Sequence, residues 1–190
     1  MIRAHEIGIR TVISSSMGRL FDAVSALLGV GAYNSYEGEC AIALEICASR
    51  AKRAWPLTME VKNVGGLWQA DSVKLIADIW RAFGAGASRE ELALGFHMAV
   101  AEAAAKICVR ISEDGTVQTG SRILEYEPGK IRRVALSGGT FANRILLKHL
   151  WLLLEERGFS VYTNEKVPCG DGGLALGQMY LMTEDVRKEE

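Results

Sequence analysis

The chain runs to 190 residues, 49% of them hydrophobic, with 22 lysines and arginines against 23 aspartates and glutamates for a formal net charge of −1. That size suits one ordinary domain or one lobe of a larger enzyme, and it can bury a core without covalent staples. The balanced charge offers no footprint for nucleic acid, no apolar run approaches the roughly 20 residues of a membrane span, and "MIRAHEIGIR" lacks the apolar centre of a signal peptide.

In chain order, "SSSMGRLFDAVSALLG" reads as a helix. Met17, Leu20, Phe21, Val24, Leu27 and Leu28 recur at the spacing of one buried face, serines stand ready to cap its start, and Gly29 stops it. The loop "VGAYNSYEG" leads into a second helix over 39–53. "WPLTMEVKNVGGLWQA" holds a short strand or irregular loop around 58–62, and "DSVKLIADIWRAF" is a helix capped by Asp71. "SREELALGFHMAVAEAAAKICVRI" carries the strongest helical pattern. Ser88 and Glu91 form a capping box there, and apolar residues nearly all round imply deep burial. Asp114-Gly115 marks a turn. A strand over 131–136, a helix over 141–157 closed by Gly158 and a strand over 159–163 make a βαβ unit with parallel strands. After "EKVPCGDGG", "LALGQMYLM" is a terminal helix. The fold class is α/β and helix-rich. Cys40, Cys47, Cys108 and Cys169 form no Cys-x-x-Cys pair, which reads as reduced core thiols in a cytoplasmic protein.

Chemistry concentrates where "VALSGGTFANRILL" passes from strand to helix. Ligands of open parallel sheets bind beyond the carboxyl ends of the strands, where glycines let backbone approach a phosphate and a helix N-terminus offers free N–H groups. Ser137, Gly138 and Gly139 satisfy that physics without being a dinucleotide fingerprint or a P-loop, so the turn is either a nucleotide site or a tight bend needing glycine dihedrals. Asn143, in the first helical turn, either faces a ligand or serves as a local cap. "VPCGDGGLALGQ" repeats the device: Asp171 is a helix cap or a carboxylate aimed at a cation. Asp22 follows a buried Phe21 and faces either solvent or a pair of vicinal hydroxyls. His97, in an apolar helix, is a satisfied core histidine or a pocket wall, and His149 lies mid-helix at the surface.

Five segments in one order, "SSMGRLFDAVSALLG", "NSYEGECAIALE", "GFHMAVAE", "VALSGGTFANRILL" and "VPCGDGGLALGQ", resemble the C-terminal carbamoyltransferase domain of the HypF family, which matures nickel-iron hydrogenases. Threonylcarbamoyl-adenosine transferases acting on tRNA and antibiotic O-carbamoyltransferases are more weakly similar. The resemblance spans about 14–182 and implies that 1–190 is a single lobe, the second of an actin-like, sugar-kinase-like ATPase with ribonuclease-H-like lobes. It implies ATP, AMP or carbamoyl-adenylate as ligand, with Asp22 on the ribose hydroxyls and Glu37 and Gly38 bordering ribose or adenine. Ser137, Gly138, Gly139 and Asn143 then cradle the nucleotide, and Asp171 is one ligand of a divalent iron or zinc ion in the complete enzyme. No residue of this chain is assigned a catalytic role.

The implied reaction moves carbamoyl from carbamoyl-adenylate to the C-terminal cysteine of a hydrogenase-maturation acceptor (HypE-like). Relatives carry two more metal ligands as a His-x-x-x-His pair in their first lobe. Here the histidines are His5, His97 and His149, no two at that spacing, so the first lobe is the expected missing partner and this chain is not expected to transfer carbamoyl alone. Two alternatives stand beside that reading: a non-catalytic interaction scaffold, and a lobe of a tRNA threonylcarbamoyl transferase.

Overall fold

Hydrophobic spacing decides where the helices lie in the computed structural model, which describes residues 14–119 and 122–189; His5 lies outside them. Helix α1 spans Met17–Leu27, α2 Glu39–Ser49, α3 Ser72–Gly84, α4 Arg89–Asp114, α5 Arg144–Glu156 and α6 Leu174–Glu189. Strands β1 (Glu60–Val64) and β2 (Leu67–Asp71) form one antiparallel hairpin, and β3 (Thr116–Thr119) and β4 (Arg122–Glu125) a second. Strands β5 (Arg133–Leu136) and β6 (Ser160–Thr163) pair in parallel across α5. The molecule is α/β, and the expected βαβ unit is present.

Helix α4 is the axis of the core. Its Leu92, Ala93, Phe96, Ala99, Val100 and Ala103 pack against Phe21 and Val24 of α1, Leu44 and Cys47 of α2, Leu75 and Ile79 of α3, and Leu146, Leu150 and Leu154 of α5. Alanines along α4 let its neighbours approach closely, and each buried Leu or Phe stabilises the fold by about 1.5–3 kcal/mol. By length and composition α4 could cross a bilayer, an apolar run longer than the composition suggested, yet its apolar residues are spent on this core.

Local chemistry explains where the elements stop. Gly29 and Gly158 sit just past α1 and α5 with φ of 64° and 80°, a region open to glycine. At both, the Schellman pair of bonds closes the helix: Val30 N–H to Ser25 O and Gly29 N–H to Ala26 O, then Phe159 N–H to Leu154 O and Gly158 N–H to Glu155 O. Asp71 caps α3 as expected, accepting from the N–H groups of Val73 and Lys74.

Other expectations are corrected. Ser16 stands at the N-cap of α1 but makes no side-chain cap bond. Only half of the capping box on α4 forms: Ser88 Oγ accepts from Glu91 N–H, while the Glu91 carboxylate turns away to Arg53 Nε at 2.8 Å. Helix α2 ends at Ser49 rather than 53, because Trp55 N–H must reach Glu91 O, 2.9 Å away, and the segment before Pro56 runs extended across α4. That crossing is so tight that a Cβ on Gly95 would stand 2.3 Å from Trp55 O. Residues 60–71 are a full hairpin turned by Gly65-Gly66, both at positive φ, rather than a lone strand. Asp114-Gly115 is the end of α4, not a free turn.

Candidate functional site

Strand β5 ends at Leu136 and the chain enters Ser137-Gly138. There Gly138 N–H donates to Cys169 O at 2.7 Å, tying this turn to the "VPCGDGG" loop. Gly170 lies against Gly139, close enough that a Cβ would stand 3.7 Å from the Gly139 Cα. The two glycine-rich turns therefore meet backbone to backbone. Between them and α6 opens a cleft of ≈ 610 Å³ whose walls include Ser137, Gly138, Pro168, Cys169, Asp171, Leu174, Gln178 and Leu181.

The glycines hold different duties. Gly138 has φ 108° and ψ 156°, which a side chain would strain, yet a Cβ there or at Gly139 would meet nothing within 4 Å. Backbone at this turn is thus bare to the cleft, with room for a ligand. At Gly173 a Cβ would stand 2.8 Å from both Pro168 O and Val167 Cγ1, so that glycine serves packing. Asp171 opens a short 3₁₀ turn, Asp171–Gly173, on the exposed edge of the cleft, and no side-chain cap bond forms at that turn.

Asn143 does not face outward. A 3₁₀ turn, Gly139–Ala142, precedes α5, and Asn143 is the helix N-cap, 9% exposed. Its Oδ1 accepts from Leu146 N–H at 2.9 Å and its Nδ2 donates to His97 Nε2 at 2.9 Å. Arg144 N–H donates to Glu45 Oε1 of α2 at 2.8 Å. The N-terminus expected to offer free donors is already answered, by a cap and by a carboxylate on its positive end. What stays open is the glycine turn itself.

His97 is fully buried. Its Nδ1 lies 2.7 Å from Ala93 O, and burial pushes its pKa down to about 4. Phe21 and Phe96 stand edge-on to its ring at 5.1 and 5.7 Å. His149 is partly buried rather than at the surface, and burial and Lys148 lower its pKa as well.

Asp22, Glu37 and Gly38 are not among the residues lining the cleft. Asp22 is half-buried on α1. Arg19 Nη2 comes within 2.9 Å of its Oδ2 but out of line for a hydrogen bond, so this buried oxygen lacks an aligned donor. Glu37 is exposed, and Gly38 is the N-cap of α2 at φ 79° with open space where a Cβ would be. Beside it, Asn34 Oδ1 accepts from Cys40 N–H at 2.8 Å. Hydrogen bonds from Ser35 hold the Glu39 carboxyl below its usual range.

Of the eight residues the sequence assigned to one site, the structure brings together Ser137, Gly138, Gly139 and Asp171; sequence reasoning missed Glu45 and the His97–Asn143 bond. Those partners lie 99 and 46 residues apart, with no local pattern to join them. Among the described residues no group of three His, Cys, Asp or Glu side chains could hold a metal ion. Asp171 alone does not fit a catalytic metal, which takes three or more protein ligands when it is zinc.

Residues 1–178 match the family model described as carbamoyltransferase, Kae1-like domain, second subdomain. Carbamoyltransferase HypF of Rhodobacter capsulatus is 35% identical over 172 residues, 90% of this chain and 20% of that protein. HypF2 of Cupriavidus necator is 34% identical, over 89% of this chain and 22% of its own. Among solved structures, full-length HypF in its phosphate- and nucleotide-bound form superposes with TM-score 0.78 at 33% identity, covering 93% of this chain and 21% of that one. T. kodakarensis HypF gives 0.78 at 30% identity, covering 98% and 22%. The chain spans about a fifth of the length of these relatives.

Proposed function

Because the chain belongs to the Kae1-like carbamoyltransferase domain family, as its second subdomain, we propose that it is the adenylate-binding lobe of a HypF-type enzyme. In this reading the lobe holds ATP, AMP or carbamoyl-adenylate while carbamoyl passes to the C-terminal cysteine of a hydrogenase-maturation acceptor. The acceptor thiolate attacks the carbamoyl carbon, and AMP leaves. One observation carries the reading: two glycine turns, locked by the Gly138–Cys169 bond, flank an open cleft with bare backbone on one wall and Asp171 on its edge. A related protein solved with phosphate and nucleotide bound supports it.

The open space beside Gly138 and Gly139 would let phosphate oxygens come close to such a turn. A carboxylate oxygen without an aligned donor, as on Asp22, suits a ribose hydroxyl, with Glu37 and Gly38 on the ribose or adenine side. The lobe's work is orientation, which removes the entropy of bringing reactants together. A metal ion in the complete enzyme would polarise the carbamoyl carbonyl. Since Asp171 offers one ligand, the remaining ligands belong to a first lobe of the same actin-like, ribonuclease-H-like architecture. Helix α6 fits that arrangement, because its Leu174, Leu176, Met179, Tyr180, Leu181 and Met182 are all exposed beside the cleft.

Calorimetry with AMP tests the site. Asp22→Ala, which removes a charged acceptor, and Gly138→Val, which strains the turn and fills the open space beside it, are each expected to weaken binding at least about tenfold. Undiminished affinity in both variants removes the assignment. A scaffold without catalysis is favoured by one feature, the α5 N-terminus plugged by Glu45; it predicts acceptor binding with no AMP affinity.

A further inference from the structure

The polarity of one buried hydrogen-bond chain is fixed at both ends. Ala93 O only accepts, so His97 Nδ1 carries the proton, and a neutral ring then leaves Nε2 as an acceptor. Leu146 N–H only donates, so the Asn143 carboxamide must put Oδ1 toward it and Nδ2 toward His97. Each assignment follows from a backbone group whose role cannot change, and the two meet in register. Asn143 is also the last link of the exposed turn: Phe141 N–H bonds Gly138 O at 3.0 Å and Asn143 N–H bonds Thr140 O at 3.2 Å. The core side of His97 is held in turn by Phe21, next to Asp22, and by Phe96.

We propose that His97 is a positioning residue: as the Nδ1-protonated neutral ring it orients the Asn143 carboxamide, and Asn143 thereby fixes the Gly138–Ala142 turn, whose first residue lines the cleft. The effect on ligand affinity rests on the adenylate reading above, whereas the orientation itself does not. A protonated ring would aim an N–H at an N–H and break the chain. Burial, which keeps the ring neutral near pH 7, maintains it.

The test begins with nitrogen NMR of the unliganded 190-residue chain. The His97 ring is expected to show a protonated Nδ1 and a bare Nε2, and one Asn143 side-chain amide proton is expected to exchange slowly. A protonated Nε2 overturns the proposal without any variant. His97→Gln, whose carboxamide oxygen can accept in place of Nε2, is then compared with His97→Leu, which cannot accept. Circular dichroism first checks that each variant keeps its helices. The proposal expects the leucine variant to lose the protected Asn143 proton and about tenfold in AMP affinity, and the glutamine variant to keep the proton and stay within about threefold. Equal affinity in both variants and the wild type, with Asn143 unchanged, overturns it. Should the wild type bind no AMP, the adenylate reading falls alone, and the Asn143 proton in the two variants still decides the role of His97. Should the leucine variant not fold, the wild-type ring and the glutamine variant decide it.

Discussion

Two helices begin the same way in this chain and end up in different circumstances. Helix α5 and helix α6 each follow a glycine pair at the rim of the cleft. The start of α5 is answered by Asn143, by Glu45 from α2 and, through Asn143, by His97 from α4. Its Leu146, Leu150 and Leu154 are sunk in the core. The 3₁₀ turn that leads into α6 has Gly170 at its N-cap and so no side-chain cap bond, and apolar side chains along the helix stay exposed. One wall of the cleft is thus built into the fold, and the other is only attached to it. A glycine pair gives each chain segment its turn, and long-range contacts decide whether the turn is held.

Cutting one leucine from each helix breaks the comparison most sharply. Leu150→Ala is expected to cost about 2–5 kcal/mol in a urea titration, and Leu181→Ala no more than about 0.5 kcal/mol. Comparable losses would mean that α6 is held as firmly as α5.

Acidification probes the same asymmetry from inside. The His97 ring has its pKa lowered by folding from 6.5 to about 4, so over that window the unfolded chain takes up a proton that the folded chain refuses. Stability is therefore complete above pH 6.5 and falls by about 3 kcal/mol as the pH drops toward 4. His149, lowered in the same direction, adds to the slope. Urea midpoints at several pH values for the wild type and His97→Gln isolate the part due to His97, since the glutamine does not titrate. A smaller effect is expected from Glu45→Ala, about 0.5–1 kcal/mol, because the carboxylate at the α5 N-terminus is partly exposed. Added salt should shrink that difference.

Legibility in the sequence followed distance along the chain. The β5–α5–β6 unit could be read directly, since strand, helix and closing Gly158 are consecutive, and the glycine turns could be read because residues without side chains mark themselves. Asn143 was read in the first helical turn with its role open between cap and ligand, and it is the N-cap: which way a carboxamide turns depends on His97, a partner from another helix. The same holds for Glu91, whose expected reciprocal cap lost to Arg53. The hairpin of β1 and β2 was read only as a short strand or irregular loop around 58–62, because its return strand depends on Gly65-Gly66 turning at positive φ. Asp22 depends on contacts beyond its own helix in the same way: the resemblance gives it a ligand, and within α1 its neighbour is Arg19.

The contact between Gly95 and Trp55 O has its own bearing on how variation is distributed. At position 95 even one methyl group has no room, because the backbone of Trp55 and the side chain of Leu57 already occupy the space. The crossing segment is also tied by its own side chains, Trp55 and Leu57 against the core and Arg53 on Glu91. Variation is therefore expected to be narrow on both sides of the seam and narrowest at the glycine.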